Sequence, residues 1–132
     1  MTYLVDTHIF LWSLFSPRKI NKKIRRILRN QEVTKFVSLI TFWEISLKYS
    51  LGKLPLKKLA PDELPNIAKN ARYDILFLDT EVVCSFYKLP KIKNKDPFDR
   101  MLAWQAIRSD CTLVTVDKDF RDLSSRGLKL LS

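Results

Sequence analysis

The chain has 132 residues, of which 46% are apolar and 11% aromatic, and this size and composition predict one domain, residues 1–132, with a single hydrophobic core. Twenty-four Lys and Arg against 14 Asp and Glu give a net charge of +10, which indicates a polyanionic partner such as nucleic acid but also suits a surface that is basic only for solubility. Two cysteines without a CxxC pair and a single histidine argue against a zinc site or a disulfide framework, and no uncharged run is long enough to span a bilayer.

Hydrophobic periodicity predicts strands that alternate with helices along the chain. The predicted elements, in order, are strand 2–5, helix 8–14, helix 17–30, strand 33–38, helix 41–51, helix 61–72, strand 75–78, helix 80–89, helix 97–109, strand 112–115 and strand 128–131. Helix 17–30 is amphipathic and strongly basic. Because a connection between parallel strands must be long enough to hold a helix, this order predicts an α/β fold of three layers around a parallel sheet.

The candidate functional groups of the chain are carboxylates, and it has no glycine-rich loop. The chain has only two glycines and neither a GxGxxG nor a GxxxxGK[ST] motif, which argues against binding of dinucleotides or ATP through such loops. In an open parallel sheet, residues that directly follow a strand face the ligand crevice, and Asp6 and Asp117 both occupy such positions. Each is equally compatible with an ordinary helix cap, as is Asp79, which also follows an apolar strand.

Glu44 is a stronger candidate because of its place on helix 41–51, which we expect Thr41 to cap. The apolar stripe predicted for this helix consists of Ile40, Trp43, Leu47 and Leu51. Glu44 stands on the same side, and because burial of an unpaired charge is costly, this position indicates a cation, a hydrogen-bonded partner or a water-filled cleft. The alternative is a side chain at the edge of the stripe that reaches solvent and pairs with Lys48 one turn later.

Asp96 and Asp99 lie at the start of helix 97–109. Asp96 fits the N-cap, with a proline at the first helical position, so capping is the preferred interpretation. Asp99 lies one turn before Leu102, on the small and apolar side of the helix, and therefore points towards the sheet as the better ligand candidate. Asp119 could join the site, although a solvated cap fits it equally well.

Four segments, taken in chain order, carry a resemblance to a known family. They are Leu4-Val5-Asp6-Thr7-His8, Phe42–Lys48 followed by Leu51-Gly52-Lys53-Leu54, Asp96–Ala106 with the signature DPFDR, and Leu113–Asp117. Together they resemble PIN-domain toxins of the VapC kind, ribonucleases of toxin–antitoxin pairs, and the resemblance extends over nearly the whole chain.

The resemblance implies a parallel five-stranded sheet with helices on both sides and a cluster of acids at the carboxyl edge of the strands. The family's four acids are matched, in order, by Asp6, Glu44, Asp99 and Asp117. Thr7 matches a hydroxyl residue that often supports the site, and Asp96 belongs to the signature either as a ligand or only as a cap. Related sequences often carry a histidine shortly before DPFDR, whereas residues 89–95 here read Leu-Pro-Lys-Ile-Lys-Asn-Lys, so no histidine-dependent role carries over.

A cluster of oxygen ligands without thiolate or imidazole suits Mg²⁺ or Mn²⁺. We hypothesise that Asp6 and Asp99 hold the main ion and that Glu44 and Asp117 complete the cluster or hold a second ion, which would orient and deprotonate a water for in-line attack on an RNA phosphodiester. Supporting positions are Thr7, Lys48, Asp96 and Asp119. Sequence-independent phosphate contacts are predicted for Arg18, Lys22, Lys23, Arg25, Arg26, Lys93 and Lys95.

The resemblance further implies a small antitoxin protein that occludes the site, and a homodimer. Because no basic leader precedes the first strand, we expect a cytoplasmic protein. We also expect Cys84 and Cys111 to be buried free thiols, and Trp12 and Trp43 to fill the core.

Three alternative functions share parts of this pattern. A non-catalytic basic module that binds nucleic acid would explain the charge but not the place of Glu44. A magnesium-dependent deoxyribonuclease would use the same acids. A magnesium-dependent phosphatase would share the acid after the first strand, but no Asp-x-Asp follows that strand.

Overall fold

The computed structural model describes residues 1–132 and contains five strands and six α-helices. The strands are β1 (Thr2–Val5), β2 (Thr34–Ser38), β3 (Asp74–Leu76), β4 (Thr112–Val114) and β5 (Lys129–Leu131). The helices are α1 (Thr7–Phe15), α2 (Lys22–Arg29), α3 (Leu39–Ser50), α4 (Leu64–Asn70), α5 (Thr80–Ser85) and α6 (Pro97–Arg108). Short 3-10 segments cover Pro17–Lys19, Pro61–Glu63, Phe86–Lys88 and Lys118–Arg126. None of the helices has the length and apolarity that crossing a membrane requires.

The five strands form one parallel sheet in the order β3-β2-β1-β4-β5. In the central strand β1, Leu4 pairs with Phe36 of β2 and with Leu113 of β4. Helices cover both faces, so the predicted α/β class and its three layers are confirmed.

Alternate side chains of β1 enter two hydrophobic cores, one on each face of the sheet. Val5 packs with residues of α1, α2, α3 and α4, whereas Leu4 packs with residues of α5, α6 and the Lys118–Arg126 segment. Both side chains are completely buried. Strands buried on both faces read as continuous apolar runs, which is why β1 and β4 are recognisable from the sequence.

Residues 17–30 were predicted to form one continuous helix, and this prediction is wrong. Ile20 has an extended backbone, and the chain divides into the 3-10 segment Pro17–Lys19 and α2. Asn21 causes the second start, because its side-chain oxygen accepts a hydrogen bond from the Ile24 N–H at 2.9 Å and thereby caps α2. The predicted helix 61–72 likewise begins with a 3-10 turn before α4.

The cap of α3 also differs from the prediction. Ser38 at the end of β2 accepts the N–H of Ile40 at 3.0 Å, so the helix begins two residues before Thr41. Thr41 is fully buried inside the helix. A strand that passes into a helix without an intervening loop brings the first turns of α3 directly to the edge of the sheet.

Several side chains that were predicted to be buried are exposed. β3 is an edge strand that ends at Leu76, and Phe77, expected in a buried strand, is 69% exposed. Trp43 is 61% exposed instead of filling the core, whereas Trp12 packs against the core and is partly buried. Of the two free thiols, Cys111 is buried but Cys84 is exposed.

Candidate active site

The topology brings the candidate acids to the carboxyl edge of three neighbouring strands, β2, β1 and β4. Asp6 directly follows β1 and donates its backbone N–H to Val114 of β4 at 3.0 Å. Glu44 is on α3, which directly follows β2, and Asp117 lies just beyond β4. Asp99 arrives from the first turn of α6, which packs against α3. Parallel strands end at the same edge of a sheet, so residues distant in sequence become neighbours there.

Asp6 is both a helix cap and a buried acid. It is only 6% exposed, and its Oδ1 accepts the N–H of Ile9 at 2.8 Å, which caps α1. Burial raises the pKa of Asp6, and the charge of Glu44 raises it further, although Thr115, the Ile9 N–H and His8 act in the opposite direction. The cap occupies one carboxylate oxygen and leaves Asp6 within the electrostatic reach of the other acids.

Glu44 is 3% exposed, and both of its carboxylate oxygens have a partner. Thr7 Oγ1 donates to Oε1 at 2.6 Å, and Lys48 Nζ donates to Oε2 at 2.5 Å. Thr7 also lies 3.3 Å from the Thr41 hydroxyl, so the polar contacts continue into the helix. The sequence left two alternatives for Glu44, a buried side chain or a side chain paired with Lys48. In the structure, Glu44 is both buried and paired with Lys48.

The apolar stripe predicted for α3 is confirmed at Ile40, which is buried, and wrong at its other three positions. Leu47 and Leu51 are exposed together with Trp43, and the buried face carries Thr41 and Ile45 beside Glu44. The helix thus buries a partly polar face against the sheet and presents an apolar line to solvent.

The pKa of Lys48 depends on several of the acids. Partial burial lowers its pKa, but the hydrogen bond to Glu44 and the charges of Glu44, Asp96 and Asp99 outweigh that effect and raise it. Lys48 is therefore a permanent positive charge beside the acids.

The pKa of Asp99 lies well above that of an ordinary aspartate. Burial, and then the charges of Asp96, Glu44 and Asp6, raise its pKa to about 6, while a hydrogen bond from Asn94 acts in the opposite direction. Like charges within a few ångströms disfavour ionisation of one another. The pKa of Asp99 therefore reflects one acid of its own helix start and two acids from distant parts of the chain. Asp96 itself caps α6, since its Oδ1 accepts the N–H of Phe98 at 2.8 Å and that of Asp99 at 3.1 Å.

Asn94 joins two of the acids and was not predicted. Its Nδ2 donates to Asp117 Oδ2 at 2.7 Å and to Asp99 Oδ2 at 3.0 Å, while its Oδ1 accepts the backbone N–H of Asp96 at 2.8 Å. The only signal in the sequence is that Asn94 lies in the segment where related sequences often carry a histidine. Asp119 has a lesser role, because it gives its backbone N–H to Asp117 Oδ1 at 2.9 Å but forms no side-chain bond with the other acids.

The family of the chain can be stated from comparisons with known proteins. The PIN domain family matches residues 3–125. The chain belongs to the PIN domain family. No curated protein matches the sequence. The predicted membership is thus confirmed, while assignment to the DPFDR subgroup stays a prediction.

Solved structures with the same fold include three toxin–antitoxin complexes. VapBC2 from Rickettsia felis, bound to a DNA fragment from its promoter, has 20% identity and a TM-score of 0.72, with 99% of this chain and 98% of that chain covered. VapBC-1 from nontypeable Haemophilus influenzae has 19% identity and a TM-score of 0.68, with coverages of 100% and 98%. DNA-bound VapBC from Salmonella typhimurium has 19% identity and a TM-score of 0.65, with coverages of 99% and 97%. At these identities the likeness concerns the fold.

The basic residues predicted to contact phosphate fall into two groups in this PIN domain. Lys93 and Lys95 flank Asn94 beside the acids. The second group consists of Lys22, Lys23, Arg25 and Arg26 on α2 and Arg18 in the 3-10 segment before it. Lys35 Nζ donates to the carbonyl of Leu28 at 3.0 Å, which holds the end of α2 against the start of β2, at the opposite edge of the sheet.

The donor set of the PIN domain fits a hard divalent ion in its chemistry, but it is not a finished cage. All four candidate ligands are carboxylates, the donors that Mg²⁺ and Mn²⁺ prefer. No three Asp, Glu, His or Cys side chains converge closely enough to hold a metal ion. Instead, Lys48 and the Asn94 amide hold three of the carboxylates. A cation would have to draw the acids together and replace these donors.

Proposed function

We propose that this PIN domain is a divalent-metal-dependent endoribonuclease that acts as the toxin of a VapBC-type toxin–antitoxin pair in the cytoplasm. The single observation that carries the proposal is the gathering of acids at the carboxyl edge of the sheet, where burial, the neighbouring Asp96, and Glu44 and Asp6 from two distant parts of the chain raise the pKa of Asp99 to about 6. Structural acids normally avoid one another, so a group of them at the ligand edge of a sheet, with Lys48 as its one paired cation, indicates a site for a cation. Family membership and the likeness to VapBC toxins support the same reaction class.

Within this proposal, Asp6 and Asp99 hold the main ion, and Glu44 and Asp117 complete the cluster or hold a second ion. A bound Mg²⁺ or Mn²⁺ would supply the positive charge that lowers the pKa of an attacking water and stabilises the leaving oxygen of the phosphodiester. Thr7 orients Glu44 through the 2.6 Å hydrogen bond.

Other side chains of the proposed site position ligands or substrate. Until a cation binds, Asn94 holds Asp99 and Asp117 together through its amide, and Asp96 fixes the start of α6. Lys93 and Lys95 contact the RNA phosphates next to the scissile bond.

The proposed antitoxin covers the apolar line of α3. Trp43 is 61% exposed and Leu51 is 58% exposed, and Leu47 lies between them on the same helix that buries Glu44. Trp43 also contacts the ring of Phe98, at the start of α6, with ring centroids 5.3 Å apart. A partner that packs on this line would lie beside the acids and block access to them. The homodimer stays a prediction, which a measurement of molar mass in solution would test.

The decisive experiment compares Asp6→Asn with Asp79→Asn. Both aspartates follow a strand and cap the next helix in the same way, since Asp79 Oδ1 accepts the N–H of Val82 at 2.9 Å. Asp79, however, is exposed at the end of the edge strand β3. We expect purified wild type and Asp79→Asn to cut RNA in Mg²⁺ or Mn²⁺, and Asp6→Asn to lose at least 100-fold in rate, as is typical for loss of an essential site group.

Two further arms separate this function from its alternatives. Cleavage that persists in EDTA would contradict metal dependence, and equal activity of the two Asp→Asn variants would contradict the site. A DNA strand of the same sequence as the RNA tests the alternative of a deoxyribonuclease, because the 2′-hydroxyl is the chemical difference between the substrates. Cut-site mapping on total RNA then identifies the preferred substrate.

A further inference from the structure

A cavity of about 500 Å³ opens at the amino edge of the sheet, opposite the acids. The end of α2, the start of β2 and the turn between α4 and β3 line it, and its charged side chains are the cations Arg29, Lys35 and Arg72 and one acid, Asp74. Thr34 pairs with Thr2 in the sheet, and Asp6 follows Thr2 by four residues, so at a rise of about 3.3 Å per residue the cavity lies about 13 Å from the acids along the strands.

The three cations outnumber Asp74 at this cavity, and none of them forms an ion pair with it or with another acid. The ion pairs of the structure join Lys48 with Glu44, Arg108 with Glu81, and Lys129 with Asp110, all of them elsewhere. Lys35 is partly buried, with its ammonium 4.3 Å from the centre of the Tyr73 ring. Burial lowers the pKa of Lys35, and the neighbouring charge of Arg72 lowers it further. Two positive groups are thus held near each other in a partly desolvated place.

A buried, unpartnered donor beside this cavity favours the binding of an anion. The Nε of Arg25, a residue that lines the adjoining cavity together with Arg29 and Lys35, is buried without a hydrogen-bond partner. A buried donor without a partner carries a free-energy cost, which a bound anion would offset. The left-handed backbone of Arg72, with φ of 68°, has a different origin, because it ends α4: the N–H of Arg72 donates to the carbonyl of Lys69 at 2.9 Å and that of Tyr73 to the carbonyl of Ala68 at 3.0 Å.

We propose that this cavity is a second phosphate-binding site, which holds the backbone of a single RNA strand away from the scissile bond. The proposal rests on the proposed action on RNA. A strand fits better than a single phosphate because the positive surface continues from the cavity onto the outer face of α2, where Lys22, Arg26 and Arg29 line a further open depression. An extended row of unpaired cations matches the regular spacing of charges along a nucleic-acid backbone.

The test measures binding without catalysis. Fluorescence anisotropy of a labelled 20-nucleotide RNA is recorded in EDTA at several KCl concentrations, so that cleavage plays no part. The triple variant Arg29→Ala, Lys35→Met and Arg72→Gly removes three cations; methionine keeps an apolar stem over Tyr73, and glycine suits the backbone of residue 72. The matched control removes three exposed cations elsewhere: Lys53→Ala, Lys58→Ala and Arg126→Ala.

Both triple variants lose three positive charges, but only the cavity variant is expected to lose RNA affinity and salt dependence. With about 0.7 counterions released per phosphate contact, loss of three contacts reduces the slope of log K against log salt by about 2, and affinity at 0.1 M salt falls roughly 10- to 100-fold. The control changes affinity less than threefold. If the cavity triple fails to fold in a thermal melt, the exposed single variant Arg29→Glu replaces it, with an expected loss of about fivefold or more.

Equal affinities and slopes for the cavity variant and the control would overturn the second site while leaving the nuclease proposal intact. Conversely, a chain that fails to cut RNA but shows the predicted difference in binding retains the site. Displacement of the RNA by a poly-glutamate peptide at a lower charge concentration than by unlabelled RNA would assign the cavity to an acidic protein segment and overturn the proposal.

Discussion

Substitution of Asp99 by asparagine should stabilise the metal-free protein at neutral pH while removing its response to metal. The pKa of Asp99 is about 6 in the folded chain, against 3.8 for an ordinary aspartate. A group whose folded pKa lies above its unfolded pKa contributes stability below the unfolded value and loses it as pH rises through the folded value. Above pH 6, the ionised Asp99 therefore destabilises the native state, and a neutral amide of the same shape does not.

The size of the effect follows from this pKa difference. A shift of about two pKa units corresponds to ~3 kcal/mol at pH values above both pKa values. Asp99 retains access to solvent, so screening reduces the effect to ~1–1.5 kcal/mol. For a domain of this size, that gain raises Tm by about 4–6 °C.

Urea unfolding of wild type and Asp99→Asn at pH 8 and pH 4 measures the effect, with the exposed Asp122→Asn as the control. We expect the stabilisation at pH 8 and the loss of most of it at pH 4, because the native wild type is then protonated at Asp99. Mn²⁺ should raise the Tm of wild type and leave that of Asp99→Asn nearly unchanged. A variant that is less stable than wild type at pH 8, or equally stabilised at both pH values, would refute the electrostatic reasoning.

Three other substitutions test further parts of the site. Asn94→Ala should strengthen Mn²⁺ binding roughly 10-fold in calorimetry, because a cation no longer has to displace the amide that bridges Asp99 and Asp117, whereas the exposed Asn66→Ala should leave the affinity unchanged. Lys48→Met should lower the free energy of unfolding by ~1–2 kcal/mol in urea, because the buried Glu44 loses its cation. Trp43→Lys should leave RNA cleavage unchanged and abolish co-purification with the antitoxin encoded by a neighbouring reading frame, and retention of the complex would remove the α3 line as the interface.

The strands and the class of fold were predictable because apolar runs between turn signals report burial directly. β1 and β4 lie in the centre of the sheet and read as continuous apolar stretches. Edge strand β3 carries the same kind of run, yet Phe77 is exposed, because sequence alone does not give the order of strands in the sheet. The broken helix before β2 depends on a single cap at Asn21, which periodicity does not register.

The burial of Glu44 was predicted for a reason that the structure contradicts. The apolar positions of α3 were assumed to face the core, but the helix presents Trp43 and Leu51 to solvent. Periodicity identifies an apolar face and cannot say whether the chain itself or another molecule covers it. Asn94 escaped prediction for a related reason, since an amide in a lysine-rich loop carries no periodic signal and acquires its meaning only from the two carboxylates that the fold places beside it.

The arrangement of the acids explains how this chain can fold before it binds any metal. Four carboxylates at one edge of a sheet repel one another, and the folded state needs positive charge or donors among them. Lys48 supplies the charge at Glu44, and the Asn94 amide supplies the donors between Asp99 and Asp117. Lys48 Nζ is at the end of a long side chain and Asn94 lies in the loop before α6, whereas Asp6 is fixed by its cap on α1. A cation that enters therefore competes with two side-chain donors and with the proton on Asp99, so its affinity should increase steeply as pH rises through about 6.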